Sequence, residues 1–376
     1  LVCCLCWADI GVSKIALVPV GIDVLNLQMA GLLLGGIVWG ILGDKRGRVS
    51  VLFGSIILYS LGNIATGFVH GTLSYGILRF ITGFGLAGEL GICVTLVSEL
   101  LPQHLRGLGT MFIVSLGLLG AAGATLVADI VGWRDAYILG GVLGLCLLVL
   151  RLKIHESGLY NKAVKHKGAT ARGNILMFFQ KPALLKRYIT VILIGAPIWT
   201  VLGIFITLTP EFAKDFGMAV LPSTGTAILY CYLGLSFGAI VISLMCQYFK
   251  NRRWPIAFFL GLLAAFSVLF VTTHHNSLPS YYGLCALLGI GLGYWTMGIQ
   301  MGAEQFGTNL RATATTSIPN FVRAMAIPAT LAFQALNPAL GITQSGLVVV
   351  GTTILLAFAA LFTIKDTFHT DLDYLE

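Results

Sequence analysis

The sequence predicts an all-α polytopic membrane protein of about twelve transmembrane helices, and three observations predict it. Hydrophobic residues make up 57% of the 376 positions, the mean hydropathy is +0.91, and only 10% of residues are charged. Charge-free runs cover 24 to 43, 49 to 78, 107 to 128, 188 to 210, 216 to 249, 254 to 303 and 324 to 364. The apolar residues within these runs are continuous. A β-barrel strand alternates, and a helix that crosses roughly 30 Å of hydrocarbon needs about 20 apolar residues in succession.

Dividing the long runs at His70-Gly71, at His274 to Pro279 and at Asn337 to Gly341 gives spans near 1 to 20, 25 to 43, 49 to 69, 73 to 100, 107 to 130, 134 to 152, 187 to 210, 225 to 249, 254 to 273, 280 to 304, 312 to 336 and 343 to 364. The first begins at LVCCLCWADIG with no initiator Met and is followed by a very short turn around Asp23, the pattern of a clipped first helix. No cleavable signal peptide is expected.

Basic residues set the orientation. Arg151, Lys153, Lys162, Lys165, Lys167, Arg172, Lys181, Lys186 and Arg187 cluster around one long loop, and KRGR at 45 to 48 and KNRR at 250 to 253 fall on the same side. The other side offers little beyond Arg134 and Lys214. The positive-inside rule then places both termini and the basic loop in the cytoplasm, so the net charge of +8 is topological and implies no nucleic-acid partner. All eight cysteines fall within expected spans and read as small apolar residues. The absence of an N-x-[ST] sequon favours a bacterial inner membrane.

The chain repeats itself. RFITGFGLAGEL followed by SELLPQHLRG answers to ALLGIGLGYWTM followed by AEQFGTNLRA: Gly83, Gly85 and Leu86 match Gly289, Gly291 and Leu292, and Glu99 and Arg106 match Glu304 and Arg311. GGIVWGILGDKRGRV at 35 to 49 has a fainter echo in GAIVISLMCQYFKNRRW at 238 to 254, where the basic residues remain and the acid is lost. Two six-helix halves explain this: an N-terminal half over 1–153, a cytoplasmic basic linker over 154–186, a C-terminal half over 187–366 and a cytoplasmic tail over 367–376. Parallel halves of this kind place a substrate site at mid-membrane between them.

Gly40 to Arg48 resembles the G-x-L-x-D-x-x-G-R signature that major facilitator superfamily transporters carry between helices 2 and 3. Arg79, Gly83 and Gly85 resemble that superfamily's helix-4 motif, and Glu99 with Arg106 resembles the E-x6-R-G element of its sugar porters and metabolite:proton symporters. The resemblance covers almost the whole chain and implies two pseudo-symmetric six-helix halves. It also implies a cytoplasmic gate of Gly40, Asp44, Arg48, Glu99 and Arg106, with Glu304 and Arg311 as the counterpart in the second half. Physically, an acid at Asp44 can cap the positive end of another helix; the alternative is a solvated turn. Gly31, Gly35, Gly36 and Gly40 permit close approach of helix 2 to a neighbour.

An ionisable residue at mid-bilayer costs about 3 kcal/mol, which makes Asp9, Lys14, Arg79, Glu89 and Arg323 functional candidates. A buried carboxylate beside a cation can switch near neutral pH, so Asp9 is the first candidate for proton coupling and Glu89 the second. Asp9 with Arg79 resembles the acid–arginine pair of proton-coupled sugar porters. The alternative is a fixed ion pair with Arg79 or Lys14, and for Glu89 a packing acid. Arg323 with Thr316 and Asn320 forms a polar stripe on a helix bent by Pro319 and Pro328. Lys14, Arg79, Arg323 and Asn320 are therefore candidates for substrate binding, suited to a carboxylate or phosphate, with Trp199, Tyr294, Trp295 and Gln300 as further lining.

GFGLAG at 83 to 88 lies inside an apolar helix and reads as packing, and His274-His275 lacks a third metal ligand. No Walker A sequence, nucleophile elbow or zinc cluster occurs, so no cofactor, metal or enzymatic activity is expected. The sequence points to a proton-coupled importer of a small anionic or zwitterionic metabolite, acting as a monomer among membrane lipids by alternating access. An exporter of drugs, siderophores or metabolites by proton antiport and a non-transporting sensor are the alternatives. The G-P-x-x-G-G element of drug antiporters is absent from the fifth span, and the Q-Q-x-S-G pattern of sugar porters is absent from the seventh.

Overall fold

The computed structural model describes residues 17–102, 104–151, 173–273, 277–370, 373, 374 and 376. The chain within them is helical. Nine stretches are apolar and long enough to cross a membrane. One of these, Arg311–Thr363, is two spans joined at Gly341, whose φ of 77° turns the chain. Arg106–Val131 supplies the fifth span. The described residues thus hold eleven of the twelve expected spans.

The expected first span falls almost wholly on residues 1–16, outside the described residues. The turn expected around Asp23 is absent: Leu17–Arg46 is one helix. The linker also ends earlier than expected. A short helix, Leu176–Gln180, occupies part of it, and the seventh span begins at Pro182, a proline at the first helical position where its fixed φ favours initiation.

The repeat read from the sequence is a repeat in space. Gly83 of the fourth span sits against the second span, where an added Cβ would lie 2.5 Å from the Gln28 carbonyl oxygen; its counterpart Gly289 of the tenth span sits against the eighth, 2.0 Å from the Cys231 carbonyl oxygen. Any side chain at either position would force the paired helices apart. The two halves meet along the second and eleventh spans and along the fifth and eighth.

Two spans of the C-terminal half are not continuous α-helix. The seventh passes from α-helix into a π turn at Leu202–Ile206, where Thr207 Oγ1 donates to the Leu202 carbonyl at 2.7 Å. The tenth is interrupted between Leu292 and Trp295. One face of the molecule, termed the linker end, gathers the end of the linker, the loop between the tenth and eleventh spans, and the tail: Gly173 N donates to the Asn309 carbonyl at 2.9 Å, and Thr308 N to the Tyr374 carbonyl at 2.9 Å.

Candidate functional site

The helix Arg311–Ala324 begins at Leu310, whose side chain has no acceptor with which to cap it. Asp44, from the other half, does so instead. Its Oδ1 accepts from Ala312 N at 3.1 Å, and its Oδ2 from Thr313 N at 2.9 Å and Thr313 Oγ1 at 2.7 Å. A carboxylate on the orphan N–H groups of a helix start satisfies donors and complements the helix dipole at once.

Around this cap lies a fully buried ionic cluster. Arg48 donates from Nη1 to the Gly43 carbonyl at 2.9 Å, and from Nη2 to Glu99 Oε1 and to the Thr308 carbonyl, each at 3.0 Å. Glu99 Oε1 also accepts from Arg311 Nη1 at 3.0 Å, which ties the fourth span to the eleventh. Where buried charges are paired in this way, loss of one partner leaves the other stranded in low dielectric.

Three expectations about the linker end need correction. Glu304 does not stand in a mirror-image pair with Arg311. It forms a two-pronged pair with Arg252, from Nε and Nη2, both at 2.6 Å. Arg252 is one of the basic residues of the KNRR stretch, and the sequence gives no sign of which of them is buried. Arg106 donates to the Leu101 carbonyl and, from Nη1, to the Thr370 carbonyl of the tail, each at 3.3 Å. Gln300, expected to line the substrate site, lies at the linker end: its Oε1 accepts from Ser98 at 3.3 Å and from Thr110, and its Nε2 donates to Glu304 at 2.8 Å. Gly40 packs directly on Thr313, with space for no side chain between them.

Toward mid-membrane, the contact between halves continues through the hydroxyls of Thr95 and Thr315 and ends at Asn320, whose Nδ2 donates to the Ala87 carbonyl at 3.3 Å and to the Thr316 carbonyl at 2.7 Å. Arg323 comes next, about 18 Å along the helix from Arg311. Its Nη1 donates to Asn320 Oδ1 at 2.8 Å, and its guanidinium lies 5.8 Å from the Trp199 ring. Among the described residues no carboxylate pairs with Arg323. The Trp199 indole N–H is buried without a partner, as is Thr316 Oγ1. Tyr232 of the eighth span lies within electrostatic reach of Arg323, a neighbour the sequence did not single out. A half-buried guanidinium with one of five donors committed, beside an aromatic face, can take a planar carboxylate.

Tyr294 and Trp295 are not walls of this site. Tyr294 is fully buried and its hydroxyl donates to the Ile194 carbonyl at 3.0 Å, joining the tenth span to the seventh, and Trp295 is buried in the same apolar core.

Glu89 stands elsewhere. Ala87, Gly91 and Thr95 form the stripe of the fourth span that meets the eleventh, and Glu89 lies about 200° around the helix from Ala87. There it pairs with Arg151 at 2.9 Å, beside Tyr59 of the third span. This pair lies within one half. Arg79 is buried with its guanidinium 4.8 Å from the Tyr137 ring, and the Tyr75 and Tyr137 hydroxyls are 3.1 Å apart beside it. Among the described residues its Nε has no hydrogen-bond partner. Asp9 and Lys14 lie outside the described residues.

Known proteins are similar to this chain in sequence and in fold. The sialic acid transporter NanX of Escherichia coli K12 is 27% identical over 330 residues, which span 83% of this chain and 76% of that protein. The niacin transporter NiaP of Acinetobacter baylyi is 35% identical over 138 residues, 36% of this chain and 31% of that protein. The fold matches the crystal structure of the Escherichia coli fucose:proton symporter FucP with a TM-score of 0.74 at 11% identity, covering 91% of this chain and 90% of that one. A family model described as the Major Facilitator Superfamily matches residues 8–330, and the chain belongs to that superfamily.

Proposed function

We propose that the protein is a secondary transporter of a bacterial inner membrane that imports a small carboxylate-bearing metabolite together with a proton, by alternating access. The observation that carries this reading is Arg323: a cation near mid-membrane, between the halves, with an amide and an indole as neighbours and no described carboxylate to neutralise it. Leaving such a charge uncompensated is costly, and a substrate carboxylate relieves the cost. Niacin and sialic acid, in the names of the two relatives, are both carboxylic acids. Asp9 is the proposed proton carrier, with Arg79 as the cation that tunes it and Lys14 as a further positive charge in the pathway. The linker end is then cytoplasmic, and its closed gate describes a state open to the outside.

The test is proton movement in proteoliposomes that report external pH, with monocarboxylates, amino acids, sugars and cationic drugs added outside. Alkalinisation with carboxylates, lost in Asp9→Asn and weakened in Arg323→Gln, supports symport. Acidification indicates antiport, and binding without flux overturns transport.

A further inference from the structure

The C-terminal segment has no part in the reading above, yet its described residues make a continuous series of contacts across the linker end. Asp366 Oδ1 accepts from Arg252 N at 2.9 Å, and the Phe368 ring lies 5.4 Å from the Arg252 guanidinium. The Thr370 carbonyl accepts from Arg106, a residue of the N-terminal half. The Tyr374 carbonyl accepts from Thr308 N, Glu376 N donates to Asn309 Oδ1 at 2.9 Å, and the Glu376 carboxylate takes both Nη atoms of Arg187 at 3.0 and 3.2 Å.

The contacts of Tyr374 and Glu376 fall on the loop 305–310. The Thr308 peptide is held from both sides: its N–H by the tail, its carbonyl by Arg48 of the gate. Asn309 is held likewise, its carbonyl by Gly173 of the linker and its side chain by Glu376. Gln305 donates from Nε2 to the Lys365 carbonyl at 3.1 Å, and its own carbonyl accepts from Arg187 at 2.7 Å. The loop leads directly into Arg311 and the helix start that Asp44 caps.

We propose that the C-terminal segment is a strap that holds the 305–310 loop in the position the gate requires, and that it must release this loop before the linker end opens. The relative exposure of the two ion pairs gives the order of events. Arg48 and Glu99 are 1% and 0% exposed, whereas Arg187 and Glu376 are 33% and 11% exposed. A partly solvated pair is screened and exchanges readily with water, so the strap lets go first and the buried cluster follows. The strap works on the gate whatever the substrate is, and its test needs none.

The experiment is hydrogen–deuterium exchange of the full chain in lipid nanodiscs, comparing wild type with a variant lacking residues 366–376 and with Glu376→Arg, which sets like charges against each other at Arg187. Exchange is expected to rise about tenfold or more both in 305–310 and in 42–50 of the other half, because a gate in a lower-stability state opens more often. Adding Arg187→Glu to Glu376→Arg restores slow exchange in both segments. Faster exchange at 305–310 with 42–50 unchanged would make the strap a local brace and overturn the proposal. Unchanged exchange in both segments would also overturn it. If the shortened chain does not fold, the charge-reversed variant and its rescue decide alone.

Discussion

Asp44 and Thr313 belong to different halves of the molecule, and the carboxylate of the first holds both the amide and the hydroxyl of the second. The junction of the halves at the linker end is therefore a helix cap supplied by the other half. On the proposed reading of this junction as a gate, closing it completes a secondary-structure element, and opening it exposes a helix start with no cap of its own.

Asp44→Ala is expected to favour the open linker end. Loss of hydrogen bonds to a charged group costs about 1.5–3 kcal/mol, so the ratio of closed to open molecules falls about tenfold or more. Spin labels on the two halves at the linker end, read as a distance distribution, check this; an unchanged distribution counts against the cap as a latch.

Gly91→Val is expected to prevent closure outright. A Cβ at Gly91 would lie 2.4 Å from Thr316 Cα, a backbone atom that cannot move aside. The variant should fold, bind substrate from the linker side and fail to transport. Binding measured with inside-out and right-side-out vesicles distinguishes this from simple misfolding.

Arg323→Gln should raise the KM for a carboxylate substrate by about tenfold or more, in line with the 1.5–3 kcal/mol of a charged hydrogen bond. Arg323→Lys should recover part of the loss, since it keeps the charge and loses the planar fork. Initial uptake rates across substrate concentrations give the answer. Equal rates in all three proteins would place the substrate elsewhere.

Glu89→Gln should leave accumulation driven by a pH gradient intact and lower thermal stability modestly, because the Glu89–Arg151 pair lies within one half and is only partly buried, with side chains 24% and 21% exposed. Asp9→Asn should do the reverse, keeping substrate exchange and losing accumulation. If instead Glu89→Gln uncouples transport, proton coupling belongs to the fourth span.

Much of this was legible in the sequence because it depends on one dimension. Span positions follow from charge-free length, and the equivalence of Gly83 and Gly289 follows from an alignment of the chain with itself. The capping role of Asp44 was legible as chemistry, since an acid between two spans has few places to go. What was not legible depends on azimuth and on tertiary approach. Glu89 and Ala87 are two residues apart and face different neighbours. Gln300 and Arg323 both read as polar residues in an apolar run, yet one is held at the linker end by Ser98, Thr110 and Glu304 while the other stays unpaired by any described acid. The C-terminal contacts arise from residues that look, in sequence, like an ordinary polar ending.

The ionic cluster around the cap also has an electrical meaning. Asp44 and Glu99 carry two negative charges, Arg48 and Arg311 two positive ones, and they occupy one small volume at one membrane face. A charge crossing a membrane exchanges about 2.3 kcal/mol with each 100 mV of potential, but a neutral quartet that separates locally exchanges almost nothing. The cluster is thus electrically silent, and a voltage dependence of the cycle would have to arise from other charges, those of the protein's mid-membrane side chains or of what it carries.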